Sequence, residues 1–286
     1  MQSIALKDSL KQFPKRPQDS HKGTFGHILN ISGSKSYTGA AILSSLSALK
    51  IGAGYVTLAT VEDVANIVHS YTPDIPTISL KQTANGTISR DNTISVIEKS
   101  QNFDVISIGS GLGKNEETTR FVADFVTQNQ KPIVIDADGL NSISNSEIDK
   151  IGGKSIITPH PKELSRLIKV PVEIIQSDRE YYAVETAKSF ETTVVLKGHN
   201  TIVTDGEQIY INKSGCSALA KAGSGDVLTG MITGLLAQTK NPLNSAILGV
   251  FLHGLTGDIA AKSLTEYGVL ASDLLNFIPK AIKEIL

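Results

Sequence analysis

The chain has no tryptophan, and aromatic residues fill only 5% of its 286 positions. Such scarcity argues against a stacking platform for single-stranded nucleic acid or sugars. Its one cysteine, Cys216, excludes an internal disulfide and a cysteine-built zinc site, and fits a reducing compartment. An excess of charge is missing too: 27 basic against 28 acidic residues leave a net charge of −1. That balance exerts no long-range pull on nucleic acid or an anionic membrane, so neither is expected as a partner. The opening residues, Met1 to Leu10, lack the basic-then-apolar order of a secretory signal, and no apolar run looks long enough to span a bilayer. His21, His27, His69, His199 and His253 show no metal-ligand spacing, which disfavours a zinc enzyme. The expectation is a soluble, cytoplasmic, globular protein whose 40% apolar content is enough for a core.

What is present is a repeated alternation of short apolar runs and helical periodicity. Residues 1–19 are polar, carry Pro14 and Pro17, and read as a lead-in segment with a short helix rather than a domain. His27–Ser32 reads as a buried strand, Ala40–Ile51 as a helix rich in Ala and Ser that can pack closely, and Tyr55–Thr60 as the next strand. Strand, helix and strand within about thirty residues is the size of a parallel crossover unit. Further strands are expected near Ile75–Leu80, Asp104–Ile108, Pro132–Asp136, Ser155–Thr158 and Thr193–Leu196. Helices are expected at Glu62–Ser70, Thr93–Lys99, Glu116–Gln128 and Gln176–Phe190. Asp205-Gly206 between Thr201–Thr204 and Gln208–Ile211 signals a hairpin, and the remainder, 225–238, 242–263 and 270–285, is helical. With no internal repeat or low-complexity linker, residues 20–286 are expected to form one domain. The pattern predicts a three-layer α/β/α sandwich on a mainly parallel, mixed sheet.

Three consecutive strands end in ligand-type clusters: Gly109-Ser-Gly-Leu-Gly113, Asp136-Ala-Asp138 and Thr158-Pro-His-Pro161. In open parallel sheets, binding groups gather beyond the carboxyl ends of the strands. The 109–113 loop matches neither the Walker spacing nor the dinucleotide fingerprint, because Lys114 holds the last glycine position. Asp136 and Asp138, two apart in extended chain, would face one way and could hold Mg²⁺ directly or through water; a turn and helix cap is the alternative. His160, between prolines, suits a fixed contact or simply a surface loop. Lys197-Gly198 could meet a nucleotide. At Ala222-Gly-Ser-Gly-Asp226 a small-residue loop delivers one acid to the start of an apolar helix. Glycine amides at a helix start bind anions, and a carboxylate there can take a proton from an attacking hydroxyl. The plainer alternative is that Asp226 caps the helix.

Taken in order, Lys22-Gly-Thr-Phe-Gly26, Gly33-Ser34, Tyr37-Thr-Gly-Ala-Ala41, Gly109–Gly113, Asp136-Ala-Asp-Gly-Leu-Asn141, Thr158-Pro-His-Pro-Lys-Glu-Leu164, Lys197-Gly198 with Thr201, and Ala220-Lys-Ala-Gly-Ser-Gly-Asp-Val-Leu228 resemble the NAD(P)H-hydrate dehydratase family over about residues 20–286. The resemblance implies a ribokinase-like fold and nucleotide-dependent dehydration of the S-epimer of hydrated NADH or NADPH. ADP would be the phosphoryl donor, or ATP, with Mg²⁺ bridging its phosphates. By the match, Asp226 would be the catalytic base, and Ala40, Gly111, His160 and Asp226 would contact the hydrated dinucleotide. Lys197, Gly198, His199, Asn200, Thr201 and Gly225 would contact the adenine nucleotide, and the amides from Gly223 and Ser224 to Asp226 would hold the transferred phosphoryl. The family also implies a homo-oligomer, often a tetramer. The epimerase domain that precedes this one in bifunctional relatives is not expected in the short segment before residue 20. Ser110 departs from the proline common in relatives, and His199 from the alanine. Two other classes fit the residues: a vitamin-precursor or sugar kinase of the same fold, and a non-catalytic nucleotide sensor.

Overall fold

The computed structural model describes residues 2–144, 146 and 150–286. Its strands are β1 (Gln2–Ser3), β2 (His27–Ile31), β3 (Tyr55–Val61), β4 (Thr77–Leu80) and β5 (Val105–Ile108). They continue as β6 (Ile133–Ile135), β7 (Ser155–Ile157), β8 (Thr193–Leu196), β9 (Ile202–Thr204) and β10 (Gln208–Ile211). The helices are α1 (Leu6–Leu10), α2 (Thr38–Lys50), α3 (Glu62–Tyr71), α4 (Thr93–Ser100), α5 (Glu116–Gln128) and α6 (Ala137–Ser144). After these come α7 (Pro161–Ile168), α8 (Val172–Ser177), α9 (Arg179–Phe190), α10 (Ser224–Thr239), α11 (Pro242–Gly268) and α12 (Ala271–Lys283).

The strands form one 10-stranded sheet in the order β1-β10-β9-β8-β7-β6-β5-β2-β3-β4. Pairing is parallel from β4 through to β8, and antiparallel where β9 meets β8 and β10. The Asp205-Gly206 hairpin produces that reversal. At the far edge Gln2 and Ser3 add a short parallel strand beside β10, an element the polar lead-in segment did not announce. Alternation sorts the side chains of the sheet. Ile28, Val56, Val105, Val134, Ile156 and Val195 face α2, α10 and α11. Leu29, Ala59, Ile106, Ile135, Ile157 and Val194 belong to a larger cluster with α3, α5, α7 and α9. The result is the expected α/β/α sandwich.

Strand order places the functional edge. The chain runs outward from β2 through β3 to β4, then returns to β5 on the other side of β2. That reversal opens a crevice beyond the carboxyl ends of β2 and β5, the usual ligand position in an open sheet. Its walls are stitched by Gly33 N donating to Ser110 O at 2.9 Å and Ser34 Oγ donating to Gly111 O at 2.9 Å. Gly109 must be glycine: at φ 128° a Cβ would lie 1.9 Å from Asp136 O.

Helix α10 reaches this edge because it can lie very close to α2. A Cβ on Gly230 would stand 2.0 Å from Ser47 Oγ and 2.1 Å from Ser44 O. One on Gly234, a turn later, would stand 2.7 Å from Ala48 O. The Ala- and Ser-rich face expected of α2 is the other half of this contact. One expectation fails. Helix α11, at 27 residues, is long and apolar enough by length and composition to cross a membrane, but 72% of its most apolar window is buried in the protein. A helix over 242–263 was expected; serines, threonines and small residues break its apolar pattern, so no unbroken apolar run marks it.

Gly230→Ala is expected to destabilise the fold by about 1–3 kcal/mol through overpacking against backbone that cannot yield. Urea denaturation checks this, and an unchanged midpoint would show that α2 and α10 separate freely.

Candidate active site

The apolar run after Asp226 winds α10, and its start is built from the small residues before it. Gly223, at φ 91°, is the N-cap residue and Ser224 is the first helical residue. Asp226 is therefore the third helical residue and makes no capping bond. The capping alternative is set aside by that geometry. The first amides of a helix have no partner within it. Ser224 N is taken by Lys221 O at 3.2 Å, leaving the Gly225 and Asp226 amides at the positive end of the helix. Ser224 Oγ instead meets His253 Nε2 at 3.2 Å, and burial pushes that imidazole down to about 4, so it is neutral.

Asp226 lies in a cleft of about 960 Å³ that Lys197–Thr201, His160, Gly223–Gly225 and Asp136 also line. Burial, reinforced by the charge of Asp136, pushes its carboxyl up to about 6. Ser110 Oγ is buried without a partner at normal hydrogen-bond geometry, yet its weaker interaction with Asp226 favours the carboxylate, as does Lys197. A group poised near neutrality beside helix-start amides is suited to accept a proton.

Beneath it lies an ion-pair network. Lys197 Nζ donates to Asp136 Oδ1 at 2.7 Å and stands 3.7 Å from Glu163 Oε2. Asp136 also accepts from Thr158 Oγ1 and, through Oδ2, from Thr229 Oγ1, each at 2.7 Å. Burial opposes its charge, but Lys197 and these donors outweigh burial and hold the carboxyl below its ordinary range. Burial likewise opposes the Lys197 charge, and Asp136 with Glu163 overrides it. Burial raises Glu163, which accepts His160 N at 2.8 Å. His160 Nδ1 accepts Lys162 N at 3.0 Å and caps α7. Burial, then the charges of Lys197 and Arg166, lower this histidine to about 4. With Nδ1 accepting, the neutral ring carries its proton on Nε2.

One expectation changes. Asp136 and Asp138 do not face one way, because the strand ends at Ile135 and Ala137 turns the chain at φ 47° into α6. Both oxygens of Asp136 are occupied, and Asp138 Oδ2 accepts Gly113 N at 2.8 Å. Among the described residues no group of three or more His, Cys, Asp or Glu could hold a metal ion. Lys197 lines the cleft, with its ammonium bound to Asp136 and near Gly225, 3.7 Å from where a Cβ there would lie.

Ala40 and Gly111 meet at the β2–β5 crevice, where a Cβ on Gly111 would be 2.6 Å from that of Ala40, but neither is among the residues that line the cleft. His160, His199, Asn200 and Thr201 line it together with Asp226. Ser110, next to Gly111, interacts with Asp226. Thr229, in an apolar helix, carried no sequence signal; Glu163 and Ser110 lie within recognised motifs but were given no role of their own.

A crevice at the strand reversal, helix-start amides and one perturbed acid define a protein of the ribokinase-like fold. The family model for NAD(P)H-hydrate dehydratase matches residues 28–280, and the chain belongs to that family. It is 34% identical over 287 residues to the ADP-dependent (S)-NAD(P)H-hydrate dehydratase of Listeria monocytogenes, covering 99% of this chain and 97% of that one. It is 39% identical over 278 residues to the bifunctional NAD(P)H-hydrate repair enzyme Nnr of Moorella thermoacetica, covering 96% of this chain and 52% of the relative. The chain thus spans about half the length of such bifunctional relatives. The structure of the ADP/ATP-dependent NAD(P)H-hydrate dehydratase from Bacillus subtilis, co-crystallised with ATP/Mg²⁺, superposes with a TM-score of 0.85 at 30% identity, covering 100% of this chain and 99% of that one.

Asp136→Asn is expected to cost about 3–5 kcal/mol of stability by leaving Lys197 without its main counter-charge. A loss below about 1 kcal/mol in urea denaturation would mean that Glu163 alone suffices.

Proposed function

We propose that this chain dehydrates the S-form of hydrated NADH or NADPH at the expense of ADP or ATP, returning the intact dinucleotide with phosphate and AMP or ADP. The observation that carries the reading is Asp226, held near neutrality beside the free amides of α10. Water leaves carbon badly, whereas phosphate leaves well. Asp226 takes the proton of the hydrate's ring hydroxyl as that oxygen attacks the terminal phosphorus of the nucleotide, whose bond to the departing AMP or ADP breaks. The Gly225 and Asp226 amides hold the charge spread over the moving phosphoryl group. The ring nitrogen's electron pair then expels phosphate, and loss of a proton from the neighbouring ring carbon restores the dihydronicotinamide.

Ala40, Gly111 and His160 are assigned to the dinucleotide, with neutral His160 offering its Nε2 proton as donor. The 197–201 loop is assigned to the adenine nucleotide. Magnesium would be carried by the nucleotide's phosphates, whose charge it would offset. Likeness to the family supports a cytoplasmic homotetramer, a subunit number that light scattering on the purified chain would contradict by showing a monomer.

The test is recovery of absorbance at 340 nm from purified S-hydrate with each nucleotide. Failure with both would reject the reading, and a stable phosphorylated small molecule in place of free phosphate would mark a kinase instead. Asp226→Asn is expected to lower kcat by about 10³-fold or more while nucleotide affinity stays within a few-fold. A near-normal rate would remove Asp226 from the base role. Because the base must be ionised, kcat/KM is expected to fall as pH drops through about 6. A profile flat from pH 7 to 5 would contradict that assignment.

A further inference from the structure

Arg179 stands where a helix disfavours a cation. It is the first residue of α9, directly after the N-cap Asp178, at the positive end of the helix dipole. Burial alone lowers its pKa, with no carboxylate acting on it. Neither the helix nor an ion pair accounts for the side chain.

Its guanidinium points into the β8–β9 loop. Nη1 donates to His199 O at 2.6 Å, and Nη2 donates to Leu196 O at 3.1 Å and Lys197 O at 3.2 Å. The loop is bent to meet it: Gly198 has φ 139° and Asn200 φ 55°. A Cβ on Gly198 would stand 3.0 Å from Nη2, so glycine there keeps the guanidinium seated. In a trans peptide the N–H points opposite to the preceding C=O. Drawing the Lys197 and His199 carbonyls toward Arg179 therefore turns the Gly198 and Asn200 amides away from it. Among the described residues neither amide has a backbone acceptor. On the side of Arg179 lies a small polar pocket, and on the other side the loop lines the Asp226 cleft; Asn200 borders both.

We infer that Arg179 is a positioning residue for the adenine nucleotide: by gripping three carbonyls from behind, it presents the Gly198 and Asn200 amides to the cleft as ready donors to the nucleotide's oxygens. The inference rests on the reading of residues 197–201 as the nucleotide side of the cleft. An ammonium has neither the planar fork nor the reach to hold the same three oxygens, so lysine does not substitute.

The experiment compares the unaltered chain with Arg179→Ala and Arg179→Lys. ADP and ATP affinity is measured by calorimetry, with kcat and both KM values from the 340 nm assay. Both variants are expected to bind the nucleotide about tenfold more weakly or worse, with kcat at saturation and the hydrate KM within about threefold. Guanidinium chloride well below its denaturing range is expected to restore part of the affinity of Arg179→Ala, where general loosening of the fold would instead be worsened. Nucleotide affinity within twofold of the unaltered chain, or equal loss of hydrate and nucleotide affinity, would overturn the inference. Amide exchange at Lys197 and Asn212, which bond to Pro159 O and Thr201 O at the two ends of the loop, reads the grip with no nucleotide present. Exchange is expected to quicken in Arg179→Ala, and unchanged exchange would also overturn the inference. An unaltered chain that binds neither nucleotide while this exchange still responds would instead sink the reading of the cleft, a distinguishable result.

Discussion

The ion pair between Asp136 and Lys197 is the constraint on which the rest of the site depends. Asp136 follows β6, Lys197 follows β8, Thr158 follows β7 and Thr229 lies one turn into α10, and one carboxylate binds all three partners at 2.7 Å. A buried charge is tolerated only when its lone pairs are filled, and here both oxygens are. The geometry pins the start of α10 to the carboxyl edge of the sheet. Glu163, from α7, adds a second acid near the same ammonium and ties in the backbone of His160.

The same charges set the chemistry above them. Asp226 shares its surroundings with Asp136, Asp138 and Lys197, and burial with the two acids prevails over the lysine and Ser110. Had Lys197 been free to approach Asp226, the carboxyl would be held ionised and too weak a base to be of use. Because Asp136 engages that ammonium, Asp226 keeps a proton affinity suited to a hydroxyl nucleophile near neutral pH. The structural pair and Asp226 are thus one electrostatic system, and a change in either is felt by the other.

Much of the scaffold was legible in the sequence because it follows from local patterns. Strands β2, β3, β5 and β8, helix α5 and the Asp205-Gly206 hairpin match the expected segments to within a residue or so. The short helix α7 was not foreseen, and α6 was weighed only as the helix-cap alternative at Asp136 and Asp138: each begins immediately after a strand-end motif, so its residues read as loop. Strand β1 was hidden because two polar residues carry no alternation, and only pairing with β10 makes them a strand. In the site, the glycines and Asp226 announced themselves by type and spacing. Thr229, Glu163 and Arg179 did not, since each acts on a partner far away in the chain.

By itself the sequence determined the alternation of elements, the glycine turns that let backbones approach, and the delivery of a single acid to a helix start. These depend on residues within a few positions of one another, where periodicity and backbone sterics suffice. Only the tertiary structure decided which charges meet. Asp136 finds Lys197 across 61 residues and Thr229 across 93. It was likewise the fold that turned Asp136 and Asp138 apart, tied the Lys197 ammonium to Asp136 and raised Asp226 toward neutrality. Proton affinity is set by burial and by the charges assembled around a group, and neither is a property of the neighbouring letters.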